Sequence, residues 1–374
     1  MVNLRLLLRD IILHYRNIVL RLFLHRVKYE PSKVKIRNIL AIRMDRIGDL
    51  VMTTPALKVL HEYFPHSKIH IMVKKPNGGL LKNLPFVSNI YECGGFSDCA
   101  KRLRNKKFDL AIDFLMDYPM KTTLLAYLSR APLLAGFDIV GKKGLFDISV
   151  TVDPKKKQMS YHMLDLAKAI IMACLGKEVA DLSAQPILAA DNEHKKTMEV
   201  FFKKQEPSGR YFFIGIHPGG YYESQRWPIN NFSRLADELK DRYKLKIVAI
   251  GIAEEIPLID KMISAMKYKD VIKIIDFPLD KLIALISVMD VLVCNNSGPL
   301  HMAVALNTPT VSTMGPTDPH FWYPSGDKHI VIKKDLNCSP CNKSKCIRHD
   351  CMNLITVDEV LKAVQGLLNN LTES

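Results

Sequence analysis

Seven residues, Arg43-Met44-Asp45-Arg46-Ile47-Gly48-Asp49, gather two carboxylates and two guanidinium groups around one glycine. They follow an apolar run at 39–42 that reads as a buried parallel strand, and they precede a helical pattern at 50–64. A strand, a glycine turn and a helix carry Gly48-Asp49 to the carboxyl end of a sheet, where open α/β folds build their sites. A carboxylate there can work as a general base. Asp49 is the first candidate, and Asp45, in the same loop, is the second. A plainer reading makes Asp49 the N-cap of a helix beginning near Leu50, which would lower its basicity. Arg43, Arg46 and the later Lys74-Lys75 could hold anionic groups of a reactant or stand as solvated charge.

Three later turns have the chemistry of an anion site. The buried run 291–294 leads into Asn295-Asn296-Ser297-Gly298, and Pro299 suits a helix start. The unpaired N–H groups of a helix N-terminus and its dipole favour an anion. Ser297 offers a hydroxyl and Gly298 a close backbone approach, although an ordinary capped turn fits the same residues. His301, beside Met302, Ala303 and Val304, is either a core residue or a ligand contact. His217-Pro218-Gly219-Gly220 follows a strand at 211–216, and its paired glycines admit a ligand to the backbone. No Gly-Lys-Ser/Thr follows, so it is not a Walker loop. In Gln225-Arg226-Trp227-Pro228, Arg226 can fork onto phosphate or stand in solvent, with Gln225 a neutral donor. Gly315-Pro316-Thr317-Asp318 makes a third turn at the same sheet edge. No Asp-x-Asp is placed to hold a diphosphate-bridging metal. A helix end and Arg226 can do that electrostatic work, so metal independence is expected.

The elements that position these groups alternate. In the first half, strands are expected at 39–42, 69–73, 108–113 and 133–137, with helices at 50–64, 99–107, 121–129 and 161–174. In the second half, strands are expected at 211–216, 246–250, 271–275, 291–295 and 310–313, with helices at 232–243, 255–266, 280–288, 300–306 and 357–371. Such alternation predicts parallel sheets covered by helices. The polar stretch 181–192 suggests a boundary. The expected organisation is a segment at 1–33, a domain at 34–188 and a domain at 189–374, with a cleft between the domains. The last helix is allowed to pack back on the first domain.

Length and composition agree with two cored domains: 374 residues, 48% apolar and 24% charged. Lys and Arg outnumber Asp and Glu by 53 to 38, which implies an acidic partner. No nucleic-acid motif is present, and nucleic acid is not expected. No stretch is apolar for the roughly 20 residues a spanning helix needs, and no signal peptide is recognised. At the N-terminus Leu4, Leu8, Ile11, Ile12, Tyr15, Ile18, Val19, Leu22 and Phe23 share one helical face. Arg5, Arg9, Arg16, Arg21, Arg26 and Lys28 surround it. The favoured reading is an amphipathic helix on an anionic membrane surface. The other is a helix packed on protein.

Three segments together, Arg43 through Leu57, His217 through Pro228 and Asn296 through His301, resemble signatures of the lipopolysaccharide heptosyltransferases, glycosyltransferase family 9. The resemblance runs from about residue 35 to the C-terminus. It implies a GT-B fold of two doubly wound domains, with the acceptor on the first and the nucleotide sugar on the second. It implies inverting transfer of a sugar, most simply heptose from ADP-heptose, onto an anionic, membrane-associated glycolipid, with no required cofactor. The place of action would be the cytoplasmic face of the inner membrane. Asp49 would be the base. Gly219, Gly220, Gln225, Arg226, Asn296, Ser297, Gly298, His301, Gly315 and Thr317 would meet the donor, and Arg43, Asp45 and Arg46 the acceptor. Two positions depart from the pattern: Asn296 stands where the family usually has Asp, and Gln225 where it often has a phosphate-binding Lys. A relative using another nucleotide sugar for a capsule, O-antigen or other glycan is the alternative. A sugar-nucleotide epimerase and an inactive membrane- or partner-binding member are further ones.

Cys338-x2-Cys341-x4-Cys346-x4-Cys351, with His349 inside, is dense enough for a structural zinc site. Reduced thiols, a disulfide or another metal fit the same spacing. The scattered Cys93, Cys99, Cys174 and Cys294 read as reduced thiols of a cytosolic protein.

Overall fold

The computed structural model describes residues 12–13, 15–19, 26–117, 120–139, 142–152, 158–180, 183–205, 211–324 and 326–373. The chain divides into two compact units, Met1–Pro186 and Ile187–Ser374.

The first unit contains β1 (Asn38–Arg43), β2 (Lys68–Lys74), β3 (Asn89–Cys93), β4 (Leu110–Asp113), β5 (Leu133–Asp138) and β6 (Ile148–Thr151). They form one parallel sheet in the order β3-β2-β1-β4-β5-β6. The chain winds outward from β1 to β3, then returns to β4 on the other side. The loop after β1 therefore stands at the switch between β1 and β4, where such sheets open a crevice. β1 and β4 are buried on both faces, which is why their sequences are almost unbroken apolar runs.

The second unit repeats the plan with β7 (Phe212–His217), β8 (Leu245–Gly251), β9 (Val271–Ile275), β10 (Val291–Asn295), β11 (Thr310–Met314) and β12 (His329–Lys333). The order is β12-β11-β10-β7-β8-β9, again parallel. Its switch lies between β7 and β10, so the turns after His217 and Asn295 are neighbours. The core on one face joins Trp227, Phe232, Leu235 and Leu239 to Val360, Leu361, Val364 and Leu368. The last four lie on the helix Val357–Glu373. Its buried face is thus used in the second unit, where the sequence had allowed packing on the first.

Three strands were not legible, β3, β6 and β12, and all three are sheet edges or next to one end of the sheet order. The helix expected at 50–64 is two helices, Ile47–Val51 and Thr54–Tyr63. Pro55 sits in the first turn of the second, where its missing N–H costs nothing. The helix Asn192–Gln205 was also missed.

Most of the expected N-terminal helix lies outside the described residues, including Leu4, Leu8, Ile11, Leu22 and Phe23. Residues 12–13 and 15–19 are helical. Leu13 and Asn17 are buried, and the Asn17 amide donates to the Lys143 carbonyl at 2.9 Å. Ile12, Tyr15, Ile18 and Val19 are exposed. Arg26, expected at lipid, instead pairs with Asp147 at 2.7 Å and donates to the Ala131 and Pro132 carbonyls. Among the described residues no helix is long and apolar enough to cross a membrane.

A buried ion pair closes the first unit beside its switch. Lys142 lies 3.1 Å from Asp113 Oδ2, and both are fully buried. The Thr123 hydroxyl donates to the same oxygen at 2.6 Å, and Lys142 also donates to the Leu115 carbonyl at 3.0 Å. Removing one partner of a buried pair strands the other charge. Lys142→Ala is therefore expected to destabilise the first unit by about 3–5 kcal/mol, read by urea unfolding. Adding Asp113→Asn should recover part of the loss. An unchanged midpoint for Lys142→Ala would mean the pair contributes nothing.

Candidate active site

In the first unit the reactive loop is built around Arg43. Its guanidinium is almost fully buried and lies 3.0 Å from Asp45 Oδ1 and 3.4 Å from Asp49 Oδ1. It also donates to the Phe114 carbonyl and to Met159 Sδ, the latter at 3.3 Å. These contacts hold the Arg43 side chain inside the loop. Arg46, Lys74 and Lys75 are exposed. Asp49 is not the N-cap: the helix starts at Ile47, which puts Asp49 in its third position. From there its Oδ2 accepts the Arg46 N–H at 3.3 Å, and the side chain keeps 12% of its surface exposed. Burial pushes the Asp45 carboxyl up to about 7, with Asp49 and Asp113 adding to the rise and Arg43 opposing it. The two carboxylates share one cation, and Asp45 is the one driven toward its protonated form.

In the second unit one amide ties the loops together. Asn295, fully buried at the end of β10, donates to the carbonyls of Pro218 at 2.9 Å and Gly219 at 2.7 Å. Its Oδ1 accepts the Trp227 N–H and the Thr313 hydroxyl, each at 2.8 Å. Beside it runs a second chain. Glu255 Oε2 is 3.1 Å from His217 Nε2, and the Ser297 hydroxyl is 3.2 Å from His217 Nδ1. Burial works to raise the Glu255 carboxyl. The His217 contact, the Ile252 N–H and Arg226 more than offset it and leave the group below its ordinary value. A Cβ on Gly219 would collide with the Glu255 carboxylate where it now lies beside His217.

Ser297 is the N-cap of the helix Gly298–Ala305, yet its side chain makes no capping bond. Its hydroxyl faces His217, so the first N–H groups of that helix have no side-chain cap. Arg226 turns back through Nε and Nη2 onto the Gly220 carbonyl, at 3.1 and 2.9 Å. Gln225 donates to Thr317 Oγ1 at 3.0 Å and accepts the Tyr222 N–H at 3.3 Å. Asn296 is half-buried, and its N–H donates to the Thr313 carbonyl at 3.2 Å. His301 is buried against Trp322, with ring centres 5.6 Å apart. Burial lowers its pKa to about 4, so it is neutral at physiological pH. A Cβ on Gly315 would meet Met352 Sδ at 2.5 Å and Cys351 Sγ at 2.9 Å. It is a packing glycine.

The four clustered cysteines are unbridged. Among the described residues no group of three or more His, Cys, Asp or Glu side chains gathers closely enough to hold a metal. Asn295, the Glu255–His217–Ser297 chain and the Asp113–Lys142 pair were missed by sequence reasoning. His217 opened a recognised turn, but its partners lie 38 and 80 positions away.

A family model, glycosyltransferase family 9 (heptosyltransferase), matches residues 97–351. Lipopolysaccharide heptosyltransferase 2 of Escherichia coli K12 is 25% identical over 355 residues, covering 88% of this chain and 98% of its own. A solved structure of E. coli ADP-heptose lipopolysaccharide heptosyltransferase II superposes with a TM-score of 0.76 at 24% identity, covering 90% and 99% of the two chains. A family 9 glycosyltransferase from Veillonella parvula gives 0.75 at 20% identity, covering 92% and 99%. With the family model matching well over half of its length, and with the two doubly wound parallel units that the fold requires, the chain belongs to glycosyltransferase family 9, the heptosyltransferases.

Proposed function

We propose that this glycosyltransferase moves heptose from ADP-heptose onto an anionic glycolipid of the lipopolysaccharide core, with inversion at the anomeric carbon. The observation that carries the reading is the pair of sites at the two sheet switches: a carboxylate loop in the first unit and an uncapped helix N-terminus among glycine turns in the second. The ADP-heptose in the description of the E. coli relative supports the donor. Asp49 takes the proton from the acceptor hydroxyl as the hydroxyl attacks the anomeric carbon, and ADP leaves. Arg43 orients Asp49. The helix N–H groups at Gly298, together with Arg226, stabilise the leaving diphosphate. This arrangement supplies its own positive potential, so a divalent metal is not required. Product mass after incubation with ADP-heptose and a panel of other nucleotide sugars tests the donor, and turnover with only another sugar would overturn it.

Asp49→Asn should leave ADP binding intact and lower transfer by at least about 100-fold. Transfer near the parent rate would remove Asp49 as the base. Asp45→Asn should cost less and has its own signature. Because the Asp45 pKa is raised on folding, its contribution to stability is full below about pH 4 and lost as pH rises toward 7. The stability of Asp45→Asn relative to the parent should therefore grow over that window and level off above it. A difference that does not change with pH would contradict the raised value.

Arg226→Ala should weaken ADP binding by about 1.5–3 kcal/mol, the range for a hydrogen bond to a charged group. Calorimetric titration with ADP reads this, and parent-like affinity would take Arg226 out of the site. In the same assay series EDTA should leave the transfer rate unchanged.

The protein is further proposed to work peripherally on the cytoplasmic face of the inner membrane. In support, Ile12, Tyr15, Ile18 and Val19 are exposed while Leu13 and Asn17 face the first unit. Deleting residues 1–25 should release the protein from anionic vesicles, with high salt acting in the same direction. Equal co-sedimentation of full-length and shortened protein would rule the helix out as an anchor.

A further inference from the structure

The cysteine-bearing segment has no part in the chemistry above, yet it holds both loops that the proposed donor site needs. Ser224 is buried and gripped at all three of its polar groups. Its Oγ donates to the Lys343 carbonyl at 2.5 Å and its N–H to the Ser344 carbonyl at 3.3 Å. Its own carbonyl accepts from His349 Nε2 at 2.9 Å. The next two residues are Gln225 and Arg226. On the other side, the Gly315 carbonyl accepts the Ser339 hydroxyl at 2.6 Å. The Pro316 carbonyl accepts the N–H groups of Cys341 at 3.0 Å and Asn342 at 2.8 Å. The next residue is Thr317, which receives the Gln225 amide. Two loops that meet at one hydrogen bond therefore hang from the same segment.

We infer that the segment spanning residues 339–352 is a brace that fixes the spacing of these loops for a nucleoside diphosphate, with His349 as a positioning residue acting through Ser224. His349 adopts a left-handed backbone at φ 52, a conformation uncommon outside glycine. Here its N–H meets Cys346 Sγ at 3.3 Å, and its carbonyl accepts from Met352 at 3.1 Å and Asn353 at 2.9 Å. That geometry aims the ring at Ser224. Because the partner is a carbonyl, Nε2 must carry the proton. Arg226 then starts from a fixed point when it reaches for Gly220 and for phosphate.

The inference rests on the donor-site reading, and the experiment separates the two. ADP is titrated calorimetrically into the full-length parent, His349→Ala, His349→Gln, Ser224→Ala and Arg226→Ala, and donor and acceptor KM are measured for each. His349→Ala should raise the ADP Kd and the donor KM by about five- to tenfold, in keeping with one lost hydrogen bond, and leave the acceptor KM unchanged. His349→Gln can offer an amide N–H where Nε2 stood, and should return the Kd to within about twofold of the parent. A parent-like Kd for His349→Ala, or a loss that Gln does not repair, overturns the brace. If His349→Ala does not fold, Ser224→Ala decides: a raised Kd supports the brace, and a parent-like one overturns it. If Arg226→Ala also binds ADP like the parent, the donor-site reading fails instead.

Discussion

One neutral side chain sets the second unit. Asn295 makes four hydrogen bonds, which uses both of its N–H groups and takes two donors on its oxygen. Its partners belong to the turn after β7, the segment leading into Trp227, and the end of β11. Each of these runs into a proposed donor-contact residue. An aspartate of the same shape could not donate to the Pro218 and Gly219 carbonyls and would set a buried charge against them. The position therefore demands an amide. With those bonds made, the glycine turn, Arg226 and the helix beginning at Gly298 have a common origin.

The first unit solves the equivalent problem with charge. Arg43 is buried between Asp45 and Asp49 and anchored beside the end of β4 through Phe114. A buried guanidinium needs anionic partners, since an unpaired charge there would be costly. One cation, however, cannot fully compensate two carboxylates in a poorly solvated loop. The cost falls on Asp45, whose carboxyl is pushed toward protonation, while Asp49 sits inside the first turn of the helix.

Much of this was legible in the sequence, and the failures have two physical causes. The buried strands were legible because a strand covered on both faces must be apolar throughout. The turns after β1, β7, β10 and β11 were legible because glycine, proline and charge cluster where strands end. The edge strands β3, β6 and β12 carry weaker patterns, since one neighbour is missing and burial is partial. The roles of Arg43, Asn295 and Lys142 were hidden for another reason. Each is polar, and a polar residue in a sequence reads as solvated unless its partner is known. Those partners lie 71, 77 and 29 positions away at the nearest strand ends.

The uncapped helix at Gly298 joins these threads. Ser297 has the residue type and backbone of a good N-cap, and a missing cap typically costs about 0.5–2 kcal/mol. Its hydroxyl is turned toward His217, and His217 is held in place by Glu255. Glu255 in turn fills the space above Gly219. The Ser297 hydroxyl also donates to the Asn295 carbonyl at 3.2 Å, so both of its contacts lie away from the helix N–H groups. In the proposed donor site, phosphate oxygens would accept from the N–H groups at this helix start that Ser297 does not cap. Those N–H groups and Arg226 would share the phosphate recognition there.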